Sequence, residues 1–175
     1  MLWESLLQSC KAVQFTDTSP MAIESYLSRL ATKATELLSG QVVRQSAALC
    51  LRVDQSGEQQ VLLLSSRGTG KWVIPKGTVE RYETPRECAR REALEEAGIT
   101  GKVSKRPVGF YTYVKDGKGL PLFVSVFTLQ VKAERNNFRE KGQRSRSWVS
   151  LEEASVLVVE PELKGLLLGV RGSVT

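Results

Sequence analysis

Between residues 77 and 99 the chain reads GTVERYETPRECARREALEEAGI, and one short helix inside that run carries Glu92, Glu95 and Glu96. At about 100° per residue, these three side chains fall within a narrow arc of one helix face. Like charges held so close repel, and a solvated helix gains nothing from the arrangement. A divalent cation reverses the balance by turning repulsion into shared coordination. The same run sets the helix ends. Thr84 can cap, Pro85 at the first position gives up no needed donor, and Glu87 completes a capping box. Gly98 is a natural left-handed terminator. The spacing predicts a helix over 85–97 with Cys88, Ala89, Ala93 and Ala97 as the stripe that packs on a sheet. Helix C-termini disfavour negative charge. Glu95 and Glu96 therefore cost stability there, which a bound cation offsets.

The full pattern is Gly77, five residues, Glu83, seven residues, Arg91-Glu92-Ala93, one residue, Glu95-Glu96, one residue, Gly98-Ile99. At average composition its seven polar and glycine positions recur by chance on the order of once in 10^8 starts. A merely amphipathic helix with a charged face accounts for the carboxylates but not for Gly77, Glu83 and Gly98 at these offsets. The run resembles the Nudix box at every specified position.

That resemblance implies a loop–helix–loop whose glutamates hold Mg²⁺ or Mn²⁺ and which hydrolyses a group linked through a diphosphate. It implies Glu92 and Glu96 as principal metal ligands, with the Lys76 carbonyl contributing and Glu95 as a further metal ligand. Arg91 would orient a box glutamate, and Glu95 would take the proton from the attacking water, although base and ligand roles swap among family members, so that Glu92 shares the catalytic assignment. Gly77, Glu83 and Gly98 would be the structural positions of the box. From the residues themselves, Gly77 lets the loop backbone approach a ligand closely. Mg²⁺ suits an all-oxygen site whose shell substrate phosphates complete.

Composition narrows the chemistry further. The chain has 175 residues and no histidine, which removes Ser-His-Asp triads, histidine nucleophiles and histidine-ligated zinc. Carboxylate–metal chemistry is what remains. Cys10, Cys50 and Cys88 lack CxxC spacing and leave an odd count, which fits thiols in a reducing cytosol and a cytoplasmic location. No apolar stretch approaches the length of a membrane span, and the N-terminus lacks the marks of a secretory signal.

Net charge is +6, with three basic and four acidic groups in residues 1–40 and a surplus of +7 in the remainder. Residues 132–146 alone hold six basic and two acidic side chains. They read either as a solvated loop or as a field that attracts a polyanion. The expected partner is an anionic polyphosphate small molecule. Nucleic acid is the lesser expectation, because no recognition motif accompanies the charge, and a membrane is not expected. Either a monomer or a homodimer is compatible with the sequence. Arg67-Gly68-Thr69-Gly70-Lys71-Trp72 superficially suggests a P-loop, but Ser65 and Trp72 stand where that pattern needs Gly and Ser or Thr. It reads as a hairpin loop.

Along the chain, 46–53 and 59–66 form an expected strand pair around Asp54-Gln55-Ser56-Gly57. Residues 72–75 add a short strand that breaks into the box loop. Residues 102–114 and 120–133 read as a second hairpin, and 146–149 as a last strand with Trp148 in the core. Ser150 caps a helix beginning at Leu151, and 161–169 closes the domain with another. Strands mixed with helices that cannot all lie on one face predict an α/β/α sandwich with a mixed sheet, as the resemblance also implies over about residues 42–172. Residues 1–40 stand apart as a helical N-terminal extension to a domain over 41–175. There, a helix from Pro20 towards Gly40 has an apolar stripe of Ile23, Leu27, Leu30, Ala34, Leu37 and Leu38, preceded by a shorter helix over 2–13. The stripe is expected to pack on the domain or on a partner subunit.

Beyond the box, Val43 to Arg52, Leu64 to Arg67, Lys71 to Pro75, and Arg144-Ser145-Arg146-Ser147-Trp148 followed by Glu152-Glu153-Ala154 resemble the diphosphoinositol polyphosphate and diadenosine polyphosphate phosphohydrolases. That implies substrate contacts from Arg44, Ser66, Arg67 and Lys71, with Gly77 against the ligand. The chain departs from the animal members at Pro75-Lys76-Gly77-Thr78 and in its N-terminal extension. RNA 5′-triphosphates, nucleotide sugars and nucleoside triphosphates are alternative substrates, and a non-catalytic polyphosphate-binding regulator is the alternative outside the enzyme class.

Overall fold

The computed structural model describes residues 20–115 and 119–170, with side chains from Tyr26 onward. Its elements are α1 (Pro20–Ala31), α2 (Ala34–Leu38), β1 (Val43–Val53), β2 (Gln59–Ser65), β3 (Trp72–Val73), β4 (Lys76–Thr78), α3 (Pro85–Ala97), β5 (Ile99–Val103), β6 (Gly109–Tyr113), β7 (Leu122–Glu134), β8 (Arg146–Ser150), α4 (Leu151–Leu157) and α5 (Pro161–Gly169). The strands form one mixed sheet in the order β3-β2-β1-β7-β5, with β4 on β1, β6 on β7 and β8 on β2. β1 and β7 run parallel from Val43 against Leu122 to Leu51 against Gln130, and the other pairs are antiparallel.

The middles of β1, residues 47–51, and of β2, residues 61–64, are continuously apolar because both faces of the sheet are covered there. Side chains alternate between faces. Ala47, Leu49, Leu51, Val61 and Leu63 meet Leu151, Ala154, Leu163 and Leu167 of α4 and α5. Ala48, Cys50, Leu62 and Leu64 meet Ala89, Ala93 and Ala97 of α3. The three alanines let α3 approach the sheet closely, which sets the height of its glutamates above β4. This is the expected α/β/α sandwich.

Several local expectations change. Residues 102–114 are not one hairpin arm. The chain bends after Val103, and β5 and β6 pair with different halves of the long β7, at Leu129–Glu134 and at Leu122–Val126 respectively. Lys76–Thr78, expected as loop, is a strand on β1. Trp148 is half-buried; its indole N–H donates to Glu134 at 3.1 Å and its ring lies under Arg52, while Val149 takes the core position. The helix expected from Pro20 towards Gly40 is divided at Thr32–Lys33 into α1 and α2, and Leu27 and Leu38 of its stripe are exposed. The helix expected over 2–13 lies outside the described residues. No described helix is long and apolar enough to cross a membrane.

Candidate active site

α3 follows its sequence signals closely. Thr84 accepts from the Glu87 N–H at 3.2 Å, and the Glu87 carboxylate accepts from the Thr84 N–H at 2.9 Å. Gly98 ends the helix at φ 71°, its N–H donating to Leu94 at 2.9 Å. This rigid helix presents Glu92 and Glu96, both buried, towards Lys76 and Gly77 of β4, with Glu95 half-buried beside them. Gly77 is needed for that approach: a Cβ there would stand 1.9 Å from Glu92 Oε1.

Arg91 ties the loop to the helix. Its Nε and Nη2 donate to the two Glu83 oxygens at 2.8 and 2.9 Å, and Nη2 also reaches the Thr78 carbonyl at 3.1 Å. Nη1 lies 2.6 Å from Glu92 Oε1 and 3.5 Å from Glu95 Oε2. The guanidinium holds the Glu83 carboxyl below the usual carboxylate range. Burial pushes the Glu92 and Glu96 carboxyls up, against the pull of Arg91 on the first and of Arg144 on the second. Neutralising such groups or pairing them with cations is the available relief.

Arg91 supplies that pairing for Glu92, and residues 135–145 supply it for Glu96 and Glu95 from across the cleft. Arg144 donates to Glu96 Oε1, while Glu96 Oε2 accepts from the Lys76 N–H at 3.0 Å. Arg144 Nε binds Glu140 at 2.9 Å, Glu140 pairs with Arg67 at 3.3 Å, and Arg139 reaches Glu95 at 3.0 Å. The Lys76 ammonium sits 5.4 Å from the Tyr113 ring centre, and burial drives its pKa down against the opposing charge of Glu96.

These groups line one cleft of about 780 Å³. Of the residues singled out from sequence, Ser66, Arg67, Lys71, Lys76, Gly77, Arg91, Glu92, Glu95 and Glu96 all line it. Glu83 and Gly98 brace the helix from outside, and Arg44 is not in the cleft. Strand alternation explains that exception: neighbouring Gln45 faces the cleft and accepts from the Tyr113 hydroxyl at 2.9 Å, so the exposed Arg44 side chain turns to the other face. Arg139, Glu140, Arg144 and Glu160 were not assigned site roles from sequence. The charged run at 132–146 holds the first three, the resemblance at Arg144–Trp148 adds a second signal for Arg144, and nothing in the sequence marks Glu160.

As arranged here, the box carboxylates are each drawn towards an arginine. No three His, Cys, Asp or Glu side chains among the described residues converge as metal ligands. The donor set nevertheless has the chemistry of a hard-cation site: clustered, partly dehydrated carboxylate oxygens around a glycine-lined gap.

Fold and site together define a mixed-sheet α/β protein with a carboxylate-centred cleft on a loop–helix–loop. The NUDIX domain family matches residues 43–167, and the chain belongs to that family. It is 34% identical over 110 residues to Nudix hydrolase 13, mitochondrial, of Arabidopsis thaliana, covering 58% of this chain and 54% of that protein. It is 36% identical over 112 residues to diphosphoinositol polyphosphate phosphohydrolase NUDT4B of Homo sapiens, covering 63% and 60%. Among solved structures, a C. elegans Ap4A hydrolase binary complex superposes with a TM-score of 0.61 at 25% identity, over 75% of this chain and 97% of that one. The chain spans about half the length of the plant relatives it matches.

Proposed function

We propose that this chain is a pyrophosphohydrolase that uses Mg²⁺ or Mn²⁺ to cleave a phosphoanhydride bond in a densely charged, diphosphate-linked substrate of the diadenosine polyphosphate or diphosphoinositol polyphosphate kind. The observation that carries this is the placement of Glu92, Glu95 and Glu96 in one cleft with Ser66, Arg67 and Lys71. Glu92, Glu95 and Glu96, with the Lys76 carbonyl, would hold the cation. When bound, the ion supplies positive charge to the phosphoryl oxygens and makes nearby water more acidic.

The protein's own residues then divide the work. Glu95, the most exposed of the three, accepts the proton from the attacking water. Arg91 keeps Glu92 and Glu95 in register while Glu83 keeps Arg91 in place. Arg67 and Lys71 bind substrate phosphates with Ser66 as a neutral donor. Arg139 and Arg144, which neutralise Glu95 and Glu96 in the structure, become available to phosphate oxygens once a cation takes over that task. The names of the human relative and of the C. elegans enzyme support the substrate class, and the two buried thiols, Cys50 and Cys88, support a reducing, cytoplasmic location.

Incubation with Mg²⁺ and a panel of diadenosine polyphosphates, diphosphoinositol phosphates, ADP-ribose and 5′-triphosphorylated RNA tests the reading through the phosphate-containing products. Glu95→Gln and Glu96→Gln are each expected to reduce turnover by about 100-fold or more. Near-normal rates in both would defeat the assignment, and no cleavage across the panel despite binding would make the chain a polyphosphate sensor.

A further inference from the structure

α1 precedes the stretch that matches the family, yet it reaches the cleft. Of its described side chains only Tyr26 is buried, at 5% exposure, while Leu27 one residue on is 55% exposed. Among its described side chains, the buried contact is a polar latch rather than an apolar stripe. The Tyr26 hydroxyl is bonded to the Thr112 carbonyl of β6 and lies 2.7 Å from Glu162 Oε2 of α5. Burial and the Glu162 charge push the phenol's pKa up, so it stays a hydrogen-bond donor across the physiological range.

The latch has a geometric consequence. Residues three apart on a helix share a face, and Arg29, three beyond Tyr26, lines the cleft with it. The neighbouring part of the wall is formed by Tyr113, Lys115 and Glu160. Arg29 therefore brings positive charge to a wall that the matched domain lines partly with a carboxylate.

We propose that α1 is a wall of the substrate cleft and that Arg29 binds the anionic part of the substrate lying beyond the bond that is cleaved. This rests on the polyphosphate reading given above and extends it to substrate selection. Tyr26 is a positioning residue for that wall.

The test uses the full chain. Arg29→Gln is expected to raise KM for diadenosine tetraphosphate or a diphosphoinositol polyphosphate by about fivefold or more, with kcat within about twofold, as suits a contact that steers and holds charge. Arg29→Lys is expected to retain most of the affinity. Tyr26→Phe is expected to raise KM in the same sense; a purely structural role would lower the melting temperature and leave KM alone. Inositol hexakisphosphate, which carries no anhydride, gives a readout independent of turnover: calorimetry is expected to show weaker binding to Arg29→Gln than to the unmodified chain. If the unmodified chain cleaves nothing, the hydrolase reading fails and this binding comparison still decides the role of Arg29. Equal inositol hexakisphosphate binding with unchanged KM, or no binding by the unmodified chain, overturns the proposal.

Discussion

Arg91 holds Glu83 through two parallel contacts at 2.8 and 2.9 Å, a fork that a planar guanidinium makes and an ammonium does not. Because Arg91 also touches Glu92, Glu95 and the Thr78 carbonyl, Glu83 acts on the acidic cluster at one remove. Glu83→Gln is expected to lower unfolding stability by about 1–2 kcal/mol at pH 7, read from urea titrations. The sign of its pH dependence follows from the depressed Glu83 pKa. Stabilisation is fully present above the unfolded-state value and fades as pH falls through the lower native value, so the two proteins converge in acid. At this scale helical spacing makes the grouping of Glu92, Glu95 and Glu96 legible, while Arg91 and Glu83 stand out only through the resemblance to the box. Arg44 was misplaced, because the facing of a strand residue depends on register, and a one-residue difference reverses it. Glu140 and Arg144 carry no local mark of a site because Glu95 and Glu96, the box residues they reach, lie more than forty residues away in sequence, and their loop has no periodic spacing.

α3 was readable end to end, since both of its limits are set by local chemistry. Gly98 shows how strict that chemistry is. Its φ is 71°, and a Cβ would lie 2.5 Å from the Phe138 ring and 2.8 Å from the Arg135 carbonyl. Gly98→Ala is expected to cost about 1–3 kcal/mol in thermal unfolding, since both the backbone conformation and the contact resist a side chain. The segment it would displace runs directly into Arg139, Glu140 and Arg144, so turnover is expected to fall with stability. The expectation of one arm over 102–114 passes over Ser104-Lys105-Arg106-Pro107, a polar, proline-containing break between β5 and β6. What separates them is which half of β7 each one meets, a non-local fact. The helix from Pro20 towards Gly40 was over-extended for the opposite reason: its apolar period continues through Thr32 and Lys33, while the described side chains bury Tyr26 and leave Leu27 and Leu38 exposed.

Across the whole molecule, a net charge of +6 surrounds an acidic cleft floor, with Arg67, Lys71, Lys115 and Arg139 along the lining. Such a field attracts polyanions over distances that salt shortens, from about 10 Å at 0.1 M to about 3 Å at 1 M. KM for a polyphosphate substrate is therefore expected to climb several-fold, by about the ratio typical of steered encounters, between low and high salt, with kcat nearly level; initial-rate measurements across a salt series check this. The sheet makes a further demand. β7 is bonded to β1 along one edge and to both β5 and β6 along the other, so it joins three strands on its own. β7 itself cannot be freed without breaking the seams on both of its edges. Its interior amides should consequently surrender their protons to deuterated solvent only when the entire domain unfolds, making residues 122–131 the slowest-labelling peptide and a direct gauge of global stability.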